Sequence, residues 1–121
     1  MTPDVNVLLA AFRSDHPQHE VALACIRAGL SGVATGRSFV LLPMAVSGFI
    51  RLATHAKVFR KPAPSHAAIA FIDSLLAVPG GEMVELGREW PAFCRLLREH
   101  SASGNDVPDA WIAAAVQTLG E

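Results

Sequence analysis

Cysteine is scarce in this chain: two in 121 residues, Cys25 and Cys94. That excludes a disulfide-stapled scaffold. Both lie in apolar helical contexts and are expected as reduced core residues. Long apolar runs are missing too. The longest, from Phe39 to Val46, is interrupted by Pro43 and is far below the roughly 20 residues a spanning helix needs. No charged stretch leads into an apolar one at the start, so no signal peptide is read. The expectation is a soluble, cytoplasmic protein without membrane contact. Charge is low: 17% of residues are charged and the net is −1. The net charge thus argues neither for nor against nucleic acid, and any such site must be a local patch. No Gly-x-Gly-x-x-Gly, P-loop or Gly-x-Ser-x-Gly pattern occurs, which argues against dinucleotide binding, P-loop phosphate binding and a nucleophile elbow. There is no internal repeat and no low-complexity segment.

What is present is a hydrophobic chain, 51% apolar by composition, of a length suited to one domain over residues 1–121. A short strand is expected to end near Asp4, weakened by Pro3, with a helix from about Val5 to Arg13. Asp15-His16-Pro17-Gln18 reads as a helix start, for a helix to about Ala28 with Val21, Ala24, Cys25 and Ala28 inward. Ser38 to Leu42 suits a strand buried on both faces of a parallel sheet. Pro43 to Thr54 is a helix with Val46, Phe49, Ile50 and Ala53 on one face. The basic, proline-punctuated run from His55 to Pro64 is a connection. Ser65 is expected to cap a helix from His66 to Ala77, with Ala67, Ala70, Phe71 and Leu75 inward. Met83 to Leu86 is a strand candidate. Arg88 to His100 is amphipathic, with Trp90, Phe93, Cys94 and Leu97 on one face. A last helix runs from Asp106 to about Leu119. Strands alternating with helices predict an α/β fold with a parallel sheet. After the last helix such a fold calls for another strand. The reading therefore expects either a terminal helix or a C-terminally truncated form of a longer protein.

The chemistry is expected where strands end and helices begin. Asp4 follows the first expected strand, and Asp106 and Asp109 sit at the last helix start. Capping accounts for each of them separately. Asp106 suits the N-cap, Asp109 suits the positive end of the helix dipole, and Asp4 suits a cap on the first helix. The functional alternative brings all three to one edge of the sheet. A divalent cation relieves the repulsion of clustered carboxylates, and Mg²⁺ accepts one or two of them while keeping several waters. Held so, it orients water and stabilises charge on a phosphoryl group. Asn6 is placed to orient Asp4.

Asp4-Val5-Asn6-Val7-Leu8-Leu9-Ala10 resembles the opening motif of PIN-domain ribonucleases, particularly the VapC-type toxins of bacterial toxin–antitoxin pairs. Gly48 to Thr54 is similar to a second motif in one subgroup, and Gly104-Asn105-Asp106-Val107-Pro108-Asp109-Ala110-Trp111 resembles the third. The resemblance implies a three-layer α/β/α sandwich with a short central parallel sheet. It implies a Mg²⁺- or Mn²⁺-dependent endoribonuclease, a homodimer, an RNA substrate and a cognate antitoxin. It carries the metal-site acids onto Asp4 and Asp109, with Asp106 as an adjacent catalytic acid and Asn6, Arg51 and Asn105 in supporting or RNA-binding roles. Two departures stand out. Gly48 lies where many PIN domains carry a glutamate, and their later Thr-x-Asp-x-x-Phe segment is absent. A non-catalytic RNA- or antitoxin-binding protein, or an inactive truncated toxin, are the alternatives.

Other residues carry weaker signals. Arg51, His55, Lys57, Arg60 and Lys61 form the dense basic segment, suited to an RNA backbone or simply to a solvated surface. His16, His19 and Glu20 have near-ligand spacing, but a plain exposed helix face is the stronger reading. Trp90 and Trp111 are expected in the core or at a dimer interface.

Overall fold

The computed structural model describes residues 1–84, 88–100 and 106–120, with only the backbone of Trp90, Asp106, Val107 and Pro108. Helix α1 spans Val5–Phe12, and α2 His19–Ser31 ends in a 3-10 turn at Gly32–Thr35. Strand β1, Phe39–Leu41, leads into α3, Pro43–Ala53. Then come α4, Ser65–Leu76, β2, Gly81–Met83, α5, Trp90–His100, and α6, Asp106–Leu119. The expected α/β architecture is present. β1 and β2 pair in parallel, with Phe39 opposite Gly81, Val40 opposite Glu82 and Leu41 opposite Met83. Successive strand residues point to opposite faces, yet Phe39, Val40 and Leu41 are all buried. Helices must therefore cover both faces of β1, as its unbroken apolar run anticipated.

The expected first strand is reduced to an edge contact. Met1 flanks β1, its carbonyl accepting from Val40 N at 2.9 Å, and helix α1 begins four residues later. Pro3 has no N–H to extend a ladder. Asp4 instead caps α1, accepting from Val7 N at 2.9 Å.

Helix α1 is the centre of the core. Leu8, Leu9, Ala10 and Ala11 are buried at four successive positions, so the helix is enclosed nearly all round. It packs on α2 and α3. Three phenylalanines join α1, α3 and α4: Phe12, Phe49 and Phe71 lie with ring centroids 5.3 to 5.7 Å apart. Such pairs add about 0.5–1.5 kcal/mol each beyond simple burial.

Helix α2 corrects the reading most. It begins at His19, not near Asp15, and its inward residues are Ala22 and Ile26. The expected inward residues Val21, Ala24, Cys25 and Ala28 are exposed, Val21 by 68%. Two side chains account for the shift. Asp15 is engaged by Arg13, whose Nε and Nη2 donate to its two oxygens at 2.9 and 2.7 Å, so it caps nothing. His19 Nδ1 lies 2.9 Å from the Ala10 carbonyl, which ties the helix start to α1 and sets its rotation. Cys25 is thus not a core residue; Cys94 is half-buried and both thiols are free.

Helix α4 starts at Ser65 itself, after Pro64, and turns Ala68, Ile72 and Leu75 inward with Phe71 beside them; Ala70 is exposed. Helices α5 and α6 pack on each other, with Phe93 6.3 Å from Trp111. Trp111 Nε1 donates at 2.9 Å to Glu89, a carboxylate only 6% exposed. Among the described residues, no helix is long and apolar enough to cross a membrane.

Two outcomes are expected. Phe49 is fully buried and touches both other rings, so Phe49→Ala lowers unfolding stability by about 3–5 kcal/mol in urea titrations. The Arg13 guanidinium beside Asp15 holds that carboxyl below its ordinary value. The carboxylate is therefore favoured in the folded chain, and its contribution to stability is lost as pH falls through the lowered value. A carboxyl titration followed by NMR places Asp15 below ordinary aspartates, and Arg13→Ala returns it to their range.

Candidate active site

Three helices enclose a cavity of about 510 Å³. From α1 come Val5 and Asn6, in its first turn. From α3 come Met44, Gly48, Arg51 and Leu52, and from α6 Asp109 and Ile112. The α3 residues follow i, i+4, i+7, i+8 spacing, one stripe of a helix, and the α6 pair follows i, i+3. Asn6, Arg51 and Asp109 are its polar side chains, and all three are exposed. Residues 45 and 103 positions apart from Asn6 in sequence thus meet it at one opening.

Asp4 stands around the corner. It lines an adjoining groove of about 430 Å³ between α1 and α2, with Val7, Ala10, His16, Val21 and Cys25 among the walls. Asn6 borders both spaces. The backbone of Asp106 opens α6 one turn before Asp109, within a residue of the expected start. The Asp106 side chain and all of Asn105 lie outside the described residues. Among the described residues, no three His, Cys, Asp or Glu side chains group as a metal site. His16, His19 and Glu20 do not form one. His16 precedes α2, its Nδ1 accepts from Gln18 N at 3.0 Å, and His19 is bound to Ala10.

Helix α3 reaches α1 closely because position 48 is glycine. A Cβ there would lie 2.9 Å from Val5 Cγ2. The apolar walls Val5, Met44, Leu52 and Ile112 escaped the sequence reading. The i, i+4, i+8 spacing of Met44, Gly48 and Leu52 was the signal that marked them.

No protein-family model matches the chain. Ribonuclease VapC43 of Mycobacterium tuberculosis H37Rv is 39% identical over 113 residues, covering 92% of this chain and 74% of the relative. Ribonuclease VapC31 of the same strain is 36% identical over 112 residues, covering 92% and 77%. The chain belongs to the VapC family of PIN-domain toxins. Ribonuclease VapC48 extends the likeness to 98% of this chain and 81% of the relative, at 30% identity.

Around Asn6 the oxygen donors are the carboxylates of Asp109 and Asp4 and the Asn6 amide oxygen, with His16 and Cys25 also lining the groove on the Asp4 side. The two carboxylates and the amide oxygen fit Mg²⁺ or Mn²⁺, which are held by one or two carboxylates and retained water.

The contact at Gly48 makes a testable statement about this wall. Alanine in place of an interior helical glycine ordinarily gains about 1 kcal/mol. Overpacking against Val5 costs about 1–3 kcal/mol. Gly48→Ala is therefore neutral to destabilising alone. In a Val5→Ala background, where the obstructing methyl is gone, the same change becomes stabilising. Denaturant titrations of the four variants measure the reversal; a Gly48→Ala effect equal in both backgrounds removes the steric account.

Proposed function

We propose that this chain is a divalent-metal-dependent endoribonuclease, the toxin of a toxin–antitoxin pair, acting in the cytoplasm as a homodimer restrained by a cognate antitoxin. The observation that carries the reading is the cavity where Asp109 and Arg51 meet Asn6, in a chain related to named ribonucleases. Asp4 and Asp109 would hold Mg²⁺ or Mn²⁺, with Asp106 as a neighbouring acid and Asn105 supporting it. The bound ion supplies an activated water and charge neutralisation at phosphorus.

The chain's own groups supply the rest. Arg51 carries five N–H donors in a planar fork that matches phosphate oxygens. It binds the scissile phosphate and stabilises the negative charge that grows on it as water adds. Asp109 accepts a proton or a hydrogen bond from that water. The bond from phosphorus to the leaving sugar oxygen then breaks, and that oxygen takes up a proton from solvent water. Asn6 orients the carboxylates on either side of it.

Asp4 carries a second duty, since it caps α1. Asparagine caps a helix as well as aspartate does. Asp4→Asn therefore removes the charge while keeping the cap, whereas Asp4→Ala loses about 1 kcal/mol of stability besides. RNA cleavage with Mg²⁺ or Mn²⁺ is expected from wild type and is expected to fall at least a hundredfold in Asp4→Asn and Asp109→Asn, both folded. Equal cleavage by all three proteins removes these assignments. RNA bound but never cut by wild type in either metal moves the chain to the class of RNA-binding proteins on the same scaffold. Light scattering tests the dimer, with a mass twice 12.8 kDa expected.

A further inference from the structure

Between Glu20 and Asp73 the chain has no acidic residue, yet six of its ten lysines and arginines lie there. The other parts of the chain hold four bases against all eleven acids. Four of the six fall between positions 51 and 61: Arg51, Lys57, Arg60 and Lys61. All four side chains are exposed. Among the described residues, none of the four is drawn into an ion pair. A segment of one sign, without a counter-charge of its own, attracts a polyanion.

The connection that carries them is held in shape. The His55 carbonyl accepts from Val58 N and Phe59 N at 3.0 and 3.1 Å, and His55 Nδ1 accepts from Lys57 N at 3.1 Å. Ala63 N donates to Ala53 O at 2.9 Å, closing the loop on the end of α3. Arg13 fastens it from α1. Its Nη1 donates to the Lys61 carbonyl at 3.1 Å, and its guanidinium lies 3.8 Å from the centre of the Phe59 ring. The guanidinium is nearly buried, and its charge is met by Asp15. Arg13 is thus the support, while Lys57, Arg60 and Lys61 present their ammonium and guanidinium groups to solvent.

We propose that this connection is a phosphate platform for the RNA strand, linked to the cavity by Arg51, which lines the cavity from the last turn of α3, just before the connection. This rests on the ribonuclease reading above. RNA is favoured over an acidic protein segment because of Arg51. Arg51 opens into the cavity where the phosphodiester is proposed to be cut, so one polyanion serves both places. The loop's one aromatic, Phe59, has Arg13 over one face and packs against the core, so it is not an open platform for stacking bases. The platform therefore contacts backbone phosphates and reads no base.

The test uses the full chain and a short single-stranded RNA, with binding followed by fluorescence anisotropy in EDTA from about 50 to 200 mM salt. The variant Lys57→Ala/Arg60→Ala/Lys61→Ala changes only exposed side chains, and circular dichroism checks its fold. Three lost phosphate contacts reduce the slope of log K against log salt by about two, at roughly 0.7 per contact. At the lowest salt, binding weakens tenfold or more. Arg98→Ala, on α5, leaves the slope unchanged. In cleavage assays with Mg²⁺ the triple variant raises KM and leaves kcat near wild type. A slope and affinity equal to wild type overturn the platform even if wild type cleaves RNA. Loss of binding in the variant, with no cleavage by wild type, upholds the platform and overturns the ribonuclease reading. Polyglutamate that displaces the RNA as well as polyuridylate does, at equal charge, overturns RNA as the occupant.

Discussion

The distance between α1 and α3 governs the rest of this molecule. It is short because Gly48 has no side chain to hold Val5 away. The other end of α1 is held against the same part of α3 by the Phe12 and Phe49 rings, met edge to face. Between these two contacts the helices cannot separate without opening the core. Asn6 and Arg51 are consequently fixed relative to each other, and α6 needs only to lean on α3 to bring Asp109 to them. A glutamate at position 48 would need Val5 to yield. The departure from the commoner PIN pattern is thus built into the packing and is not a simple exchange of one surface residue.

The acids show how a structural duty and the proposed chemical one are compatible. A helix N-terminus concentrates partial positive charge on its unpaired N–H groups, and a carboxylate there is favoured as an anion. Asp4 uses one oxygen in this way. Nothing in that bond opposes a further cation nearby, since it engages one of the two carboxylate oxygens. Capping, observed at Asp4, and the proposed metal role are therefore compatible. The same field lies at the start of α6, one turn before Asp109.

Legibility in the sequence followed the strength of the local pattern. The four-residue apolar block at Phe39 to Leu42 announced a doubly covered strand, and α3 followed from Val46, Phe49 and Ala53 at helical spacing. Asn6, Arg51 and Asp109 were named from motif positions, and their meeting at one cavity is a product of helix packing that no single stretch encodes. The failures share a cause. The rotation of α2 depends on His19 reaching Ala10 and on Asp15 being held by Arg13, contacts made across turns and helices. An alanine-rich helix leaves two faces almost equally apolar, so a rotation of one residue exchanged Cys25 for Ile26 in the core. Met1 failed as a strand because a proline two residues on ends the ladder.

Arg13 gives α1 a further property. The helix holds Asn6 at one end, and the residue that closes its other end grips the basic connection. Its eight residues make it about 12 Å long. Cavity and connection therefore share one rigid spacer, fixed in length and in angular phase. A single residue inserted into α1 would lengthen that spacer by only about 1.5 Å but turn its two ends by about 100° relative to each other. Length in this helix is tolerable in whole turns and in nothing between.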